Sequence, residues 1–425
     1  MPKPLQNIIN SPEKRKKLVV YINPPYAEAG NIKQKSGTGD NKAQTATSNN
    51  TYLKYRNLIG KASNEIFIQF LIRIFKEIPN SKIANFSKLK NLQSFNFYDF
   101  REVFQVKLKK IFLVPADTFD NVKGKFPIGF FIWDTEKKER FEQIKADVYI
   151  SNAELYATKV ISSYDNQKGY INNWIRNLSK AIKKEDSIGN LHSNGNDFQH
   201  QNDVFIDNDL AKKTFGGLHL TITNQNLISS SILFSVRHCL EATWLNDRDQ
   251  FLYPKDGWKT DSEFQTDCLT FTLFSNNIQS KYGTNHWIPF TEQEVNAREK
   301  FDSNFMTDFI KGKPKPPQKS MYTLSILFEP EETYNRTPLK FSKEATAVFD
   351  AGRELWKYYH RQPNCNVNAS LYDIREHFQG RNEAGKMNNK SSDEIYMNLI
   401  GDLRDKLKQL AEKIEPKVYE YEFLK

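Results

Sequence analysis

The chain has 425 residues, and at about 150 residues per domain this length suggests two or three domains. It carries 61 Lys and Arg against 51 Asp and Glu, a net charge of +10 that permits a polyanionic partner. The 38% hydrophobic and 13% aromatic content is enough for a core and argues against collagen, a coiled-coil rod and wholesale disorder.

Neither the apolar pattern nor the cysteines indicate a membrane or extracellular setting. No apolar run approaches the ~20 residues that cross a bilayer, and the first residues lack the apolar segment of a signal peptide. Cys239, Cys268 and Cys365 are far apart and have no Cys-x-x-Cys partner, so no metal or disulfide role is predicted. We therefore expect a cytoplasmic protein. His200 and His286 are candidate ligand contacts, although surface or core roles are favoured for both.

The first third of the chain predicts alternating strands and helices. Residues 1–17 form a basic tail, and 27–62 a long polar loop. Leu18 to Ile22 is a continuous apolar run, typical of a buried strand in a parallel sheet. An amphipathic helix over 64–78, a short strand over 83–86, a helix over 98–106, and a hairpin-like pair of strands at 110–114 and 128–133 follow.

Beyond residue 150 the periodicity is weaker. Strand-like runs cover 218–223, 268–274 and 322–328, and residues 311–320 form a basic, proline-rich linker. A helix is expected at 345–360, and Ser391 with Glu394 fits a capping box for another, closed by Pro416. The predicted organisation is a tail (1–17), an α/β domain (18–150), a mixed α+β region (151–310), the linker (311–320) and a mainly helical C-terminal region (321–425).

The sequence Asn23-Pro24-Pro25-Tyr26, directly after the first strand, carries the chemistry. An exocyclic adenine amine is a poor nucleophile, because its lone pair is delocalised into the ring. The Asn23 side-chain oxygen and the Pro24 carbonyl can accept its two N–H groups, and the prolines fix that carbonyl in place. Tyr26 offers an aromatic face for an extruded base. A plain strand-terminating turn is the simpler reading of the tetrapeptide taken alone.

With its flanking strands and helix, this motif resembles the N6-adenine DNA methyltransferases of restriction–modification systems. The likeness covers residues 15–135 and includes Phe112 to Ala116 and Pro127 to Trp133. It implies a partial Rossmann-like sheet followed by a target-recognition region, S-adenosylmethionine as methyl donor, and double-stranded DNA as substrate. In this family a second aromatic residue packs against the flipped base; Phe126 is the candidate, with Phe119 behind it.

The chain departs from the family in its cofactor motif. The resemblance implies a glycine-rich turn after a strand, and the candidates do not fit. Gly37-Thr38-Gly39 lies in the polar loop, while Phe349 to Gly352 and Ile400 to Asp402 lie in helical patterns. We therefore expect an upstream segment or a second chain to supply most of the cofactor site, and weak or no activity for the isolated chain.

Two alternatives stay open. Asn-Pro-Pro-Tyr also serves methyltransferases that act on RNA bases or on glutamine side chains, although those enzymes are usually compact. The chain could instead be a DNA-binding specificity or interaction protein in which the motif is vestigial.

Overall fold

The computed structural model describes residues 2–24, 47–119, 124–164, 168–180, 186–209, 217–313 and 337–425. They form two compact units. Unit 1 comprises Met1–Gly169 and Ala242–Gln250, and unit 2 comprises Tyr170–Glu241 and Phe251–Lys425. This division differs from the predicted boundaries at 150 and 310–320, because one hydrophobic core runs through 171–310 and 345–424. Most of the predicted linker lies outside the described residues.

Unit 1 contains a six-stranded mixed sheet with the order β1-β2-β4-β3-β5-β6. Its elements are α1 (Lys3–Asn10), α2 (Pro12–Arg15), β1 (Val19–Ile22), α3 (Asn50–Ile59), α4 (Ile66–Glu77), β2 (Lys82–Lys88), α5 (Lys90–Gln93), α6 (Tyr98–Val103), β3 (Lys107–Pro115), β4 (Pro127–Asp134), β5 (Gln143–Tyr149) and β6 (Leu155–Ser162). β1 runs parallel to β2, β3 runs parallel to β5, and the other neighbours are antiparallel. The expected pair of strands is thus confirmed as the β3–β4 hairpin.

One face of this sheet forms the core of unit 1. Ile83 on β2 pairs with Trp133 on β4, and Ile111 on β3 pairs with Phe131 on β4. Because side chains alternate along a strand, these four residues and Leu113 share one face of the sheet. All five are buried, and they join α4 and α6 residues such as Phe67 and Phe100 in one cluster. The i, i+3, i+4 apolar spacing of α4 explains why this helix packs there.

Unit 2 is mainly helical around a three-stranded antiparallel sheet of order β8-β7-β9. Its elements are α7 (Ile171–Leu178), β7 (Gly189–Ser193), β8 (Val204–Asp207), β9 (Leu218–Ile222), α8 (Leu227–His238), α9 (Ser262–Leu273), α10 (Phe305–Ile310), α11 (Lys343–His360), α12 (Leu371–Gln379) and α13 (Glu394–Glu420). The mixed α/β architecture with a helical C-terminal region therefore matches the expected class. None of the described helices is long and apolar enough to cross a membrane.

Several local expectations were wrong. The tail contains two short helices, α1 and α2, and the polar loop ends in α3. Residues 268–274 lie largely in α9, not in a strand. The Asp261 side chain caps α9 by accepting from the Phe264 amide at 2.9 Å, and the Thr270 hydroxyl donates to the Thr266 carbonyl within the helix at 2.8 Å. Burial against α8 in unit 2 thus outweighs the β propensity of this run.

Pro416 does not end α13, which continues to Glu420. A proline inside a helix removes the hydrogen bond to the carbonyl four residues earlier, here that of Glu412. Both Pro416 and Glu412 are exposed, so water can satisfy that carbonyl. Val418, one turn further on, is fully buried and holds the last turn against the core.

Candidate active site

The strand directions bring the predicted motif and the β3–β4 loop to the same edge of the unit 1 sheet. β1 and β2 are parallel, and both β2 and β3 run antiparallel to β4. The carboxyl ends of β1, β2 and β3 therefore lie at the edge where β4 begins. Asn23 follows β1 at this edge, and residues 116–126 connect β3 to β4 there. The shared edge is a tertiary property that the tetrapeptide alone does not reveal.

The structure describes half of the predicted tetrapeptide. Asn23 is exposed and Pro24 is buried. The buried Pro24 fixes the backbone of the turn, while the side-chain amide of Asn23 faces solvent. Pro25 and Tyr26 lie outside the described residues, so their predicted roles stay predictions.

Phe126 is half-buried beneath a cation. The Arg248 guanidinium carbon lies 5.2 Å from the centre of its ring, and the Ala116 amide donates to the Phe126 carbonyl at 2.9 Å. Phe126 lies five residues before Phe131, which pairs with Asn85 on β2. Asn85 in turn pairs with Ile22, the last residue of β1. At 3.3 Å per residue, Phe126 lies roughly 16 Å along the strand direction from the end of β1.

Phe119, the second aromatic candidate, lies nearer to the end of β1 in register. Its ring centre is 5.2 Å from that of Phe86, in an edge-on arrangement. Phe86 follows Asn85, and extending the β1–β2 register by one residue therefore places it beside Asn23. The geometry thus gives Phe119 a shorter path to the motif than Phe126.

A row of aromatic side chains covers the second face of the unit 1 sheet. We call Tyr21, Phe86, Phe112, Phe130 and Tyr149 the aromatic face. Ring centres are 6.2 Å apart for Tyr21 and Phe130, 4.7 Å for Phe86 and Phe130, 5.1 Å for Phe112 and Phe130, and 5.8 Å for Phe112 and Tyr149. Tyr21 is 63% exposed and the other four are half-buried. Such a surface can stack nucleobases or receive an apolar partner.

The aromatic face was missed by sequence reasoning, although a signal existed. On β2, β3 and β4, apolar residues occupy positions on both faces of the sheet, as expected for strands covered on two faces. A search for phenylalanines directly next to core positions on a strand would have found Phe112 between Ile111 and Leu113. The same holds for Phe130, which precedes Phe131.

The charged side chains of the sheet are concentrated at the opposite edge. Lys107 and Lys110, at the start of β3, pair with Glu139 at 2.8 Å and with Asp147 at 3.5 Å. At the same end, the Lys82 ammonium contacts Asp134. Burial alone would raise the pKa of Asp134, but hydrogen bonds from Lys82 and from the Glu136 amide outweigh it and lower that pKa. Lys107, Lys110 and Lys82 therefore lie at the ends of their strands that are away from Asn23.

Neither a metal centre nor a complete cofactor site is found in the described ranges. They contain no cluster of three or more metal-ligating side chains. At the edge beside Asn23, β1 leads into Asn23-Pro24, β2 into Leu89-Lys90 and β3 into Ala116-Asp117, and none of these six residues is the glycine that a phosphate- or nucleoside-cradling turn uses. The segment after β1 continues into residues 25–46, which lie outside the described residues, so the origin of the S-adenosylmethionine site stays a prediction.

No protein-family model matches the sequence, and no curated protein matches it. Among solved structures, the chain is similar to a modification subunit of a putative type I restriction enzyme from Vibrio vulnificus YJ016 (14% identity, TM-score 0.22, 32% of this chain and 28% of that one). It is also similar to LlaBIII, an ATP-dependent type ISP restriction–modification enzyme bound to DNA (12%, 0.24, 53% and 17%).

A third neighbour is MmeI, a type IIL restriction–modification enzyme in complex with DNA (12% identity, TM-score 0.28, 96% of this chain and 57% of that one). The chain thus spans less than two thirds of each of these proteins. All three belong to restriction–modification systems, but at these TM-scores their activities are not transferred to this chain.

Proposed function

We propose that unit 1 is the C-terminal half of a Rossmann-like catalytic domain of a restriction–modification enzyme that methylates adenine N6 in DNA. The supporting observation is the position of Asn23 and Pro24. They directly follow a strand, at the sheet edge that also carries Phe119 and Phe126 and beside the aromatic face. An extruded base needs these groups together: acceptors for its amine and aromatic surfaces for its ring.

The chemistry proposed for these residues is positional and electrostatic. The Asn23 Oδ1 and the Pro24 carbonyl accept the two N–H groups of the adenine amine and draw the nitrogen towards tetrahedral geometry. Tyr26 stacks on the base, and Phe126 or Phe119 covers its other side. S-adenosylmethionine, when bound, supplies the methyl group that the amine attacks.

Most of the cofactor site is proposed to come from an upstream segment or a second chain. The support is physical. Among the described residues, β1 has a neighbouring strand on one side only, and Val19 and Tyr21 are 59% and 63% exposed. An edge strand with exposed apolar side chains is a template for further strands. Strands added beside β1, with helices over the aromatic face, would complete the sheet and bury both features.

Double-stranded DNA is the proposed substrate. The net charge of +10 supports a polyanionic partner, and binding through phosphate contacts would weaken steeply with salt. The target-recognition role is assigned to the predicted region 151–310, most of which lies in unit 2.

The proposal is tested by expressing the chain with its neighbouring reading frames in a host that lacks adenine methylation. N6-methyladenine in the host DNA is then measured by mass spectrometry. We expect methylation with the wild type and a loss of about 100-fold or more with Asn23→Ala, because one of the two amine acceptors is removed. Asn398→Ala, which changes an exposed asparagine of α13, is the matched control and should leave methylation unchanged.

The possible results separate the alternatives. Robust methyl transfer by the purified chain alone would refute the claim that the cofactor site is incomplete. If Asn23→Ala keeps DNA binding and no neighbouring chain yields methylation with the wild type, the DNA-binding interpretation replaces the enzymatic one. Labelled methyl groups on RNA or on glutamine, with none on DNA, would favour the second group of methyltransferases.

A further inference from the structure

The three-stranded sheet of unit 2 has an apolar face and a polar face. Leu191, Ile206 and Leu220 pair across its strands and pack into the core. Side chains of the alternate positions lie on the other face. There Asn190 pairs with Asp207 and with Thr221, and His192 pairs with Phe205 and with His219. A sheet with one polar face usually exposes that face to water.

Part of this polar face is instead buried, whereas His219 on β9 is exposed. Asn190 and Asp207 are each 2% exposed, and His192 is completely buried. The His192 Nε2 lies 3.1 Å from the Asp207 carboxylate, and its Nδ1 lies 3.3 Å from the Nδ1 of His219. Phe205 stacks on the His192 ring at 4.4 Å. Hydrogen bonds and stacking therefore fix one wall of side chains in place.

A cavity of about 610 Å³ opens against this wall. The lining residues that matter for its chemistry are Asn190, Asn208, His219, Thr221, Tyr282 and His286. The volume lies in the range of sites for small organic ligands. Tyr282 is 44% exposed, which places an aromatic ring where the cavity meets solvent.

Two amides of the lining have unused hydrogen-bonding capacity. Asn190 is almost completely buried, yet no described residue accepts from its Nδ2 or donates to its Oδ1. Asn208 accepts from the Gln279 amide at 3.2 Å through Oδ1, but its buried Nδ2 has no acceptor in the described structure. Buried amide groups are nearly always hydrogen-bonded, and a ligand with matching groups would satisfy them.

None of the described lining residues is a carboxylate, a lysine or an arginine, although the Lys281 ammonium lies 5.1 Å from the centre of the Tyr282 ring. The lining itself thus lacks the cations that phosphate sites use. His286 bonds to the Ser303 hydroxyl at 2.7 Å, and burial lowers the pKa of its ring, so it is neutral at pH 7. A neutral ring with acceptors and donors therefore fits better than an anion or a cation.

We propose that this cavity binds an adenine base, with the Asn190 amide on its N6/N7 edge. A carboxamide presents a donor and an acceptor side by side, and adenine is the base whose exposed edge matches that pair bidentately. The Asn208 Nδ2 donates to a further ring nitrogen, and Tyr282 stacks on the ring at the mouth. The base comes from a free nucleoside or from an unpaired position in DNA; both present the same edge.

The test is isothermal titration of the full chain with adenosine and with inosine. Inosine keeps N7 but replaces the amine with a carbonyl, so the Asn190 Oδ1 would face an acceptor. We expect adenosine to bind roughly tenfold or more tightly than inosine. Asn190→Leu, similar in volume, should abolish adenosine binding, and Asn398→Leu, on the exposed side of α13, should not change it.

Two further measurements keep the test decisive. Tyr282→Ala changes a partly exposed side chain, so it serves if Asn190→Leu fails to fold; it should weaken binding about fivefold or more. A thymine oligonucleotide with one central adenine, compared with an all-thymine strand, tests DNA as the source. If the adenine-containing oligonucleotide binds in an Asn190-dependent way and adenosine does not bind, the adenine assignment is retained and DNA is the source of the base.

The assignment is overturned if adenosine and inosine bind equally, if Asn190→Leu keeps full affinity, or if neither the nucleoside nor the oligonucleotide binds. No methyl transfer is measured in these titrations. The inference therefore does not depend on the function proposed for unit 1, and either can fail without the other.

Discussion

The two sheets of this protein break the usual inside–outside pattern in opposite ways. The six-stranded sheet of unit 1 leaves Tyr21 exposed and Phe86, Phe112 and Phe130 half-buried on its second face. The three-stranded sheet of unit 2 buries Asn190 and His192 on its second face. A large partly exposed apolar face indicates a macromolecular partner, while a small buried polar face beside a cavity indicates a small ligand.

This contrast also distinguishes how the two units gain stability. In unit 1, helices cover one face of the sheet and form the core with it, so neighbouring residues on one strand differ sharply in burial. Unit 2 has a continuous core from Ile171 to Leu424 and carries its polar groups inside. All seven histidines lie between positions 192 and 377, within unit 2.

The largest expected effect compares the two faces of β4. Phe131 is completely buried and stacks with Trp133 at 5.6 Å, whereas Phe130 is half-buried on the aromatic face. Phe131→Ala should lower the free energy of unfolding of unit 1 by about 3–5 kcal/mol, and Phe130→Ala by about 1–2 kcal/mol. Urea unfolding followed by region-resolved hydrogen exchange measures both. Equal losses would show that the aromatic face is covered in the isolated chain.

Acid should destabilise unit 2 through its buried histidines. Burial lowers the pKa of His238 and of His360 to about 4, from an ordinary value of 6.5. The unfolded chain then binds protons that the folded chain excludes, so stability is full above pH 6.5 and falls as the pH drops towards 4. The expected loss by pH 4.5 is about 2–3 kcal/mol for each of the two histidines.

The measurement is the urea midpoint of unit 2 between pH 7.5 and 4.5. His238→Gln should flatten its pH dependence, because glutamine does not titrate. His377→Gln, at an exposed position of α12, is the matched control and should leave the profile unchanged. A profile unaffected by His238→Gln would contradict the assignment.

A smaller effect tests the polar face of unit 2. Asn190→Leu removes an amide whose buried Nδ2 has no partner in the described structure, so stability should stay within about 1 kcal/mol of the wild type. His192→Leu removes the hydrogen bonds to Asp207 and His219 and should cost more, about 1–3 kcal/mol. Thermal unfolding of both variants measures the difference. The reverse order would mean that Asn190 is satisfied in the free protein.

The smallest stability effect is expected at the edge strand of unit 1. Val19→Lys changes a side chain that is 59% exposed, so the free energy of unfolding should shift by less than about 0.5 kcal/mol. The same charge should block strand addition beside β1 and abolish the methylation obtained with neighbouring reading frames. Leu53→Lys, at a similarly exposed position on α3, is the control. Full methylation with Val19→Lys would exclude this edge as the joining surface.

Local patterns predicted a good part of the fold. The strand before Asn23, the amphipathic helix at 66–77, the β3–β4 hairpin and the helix at 343–360 all follow from apolar spacing and from punctuation by proline. The expectation that the first strand is buried was wrong, because Val19 and Tyr21 are 59% and 63% exposed. The predictions failed where tertiary packing competes with propensity. Residues 268–273 form the second half of α9 despite the β-branched Thr270 and Thr272, and α13 continues past Pro416 because Val418 is buried.

The candidate site likewise combines features that the local sequence predicted with features that only the tertiary structure shows. The sequence identified Asn23 and Pro24 as acceptors, because their chemistry and their place after a strand are local properties. It named Phe126, and it did not show that Phe119 contacts Phe86 beside the motif. The roles of Asn23, Pro24, Pro25, Tyr26 and Phe126 all stay predictions.

By itself, the sequence determined many of the segments that form strands and helices, and it predicted Asn23 and Pro24 as acceptors, since both inferences depend on neighbours along the chain. Only the tertiary structure decided that β1 is an edge strand, that five aromatic side chains form one face, and that Asn190 meets a cavity. Strand order and register bring together residues far apart in sequence, and no local pattern encodes which partner a strand takes.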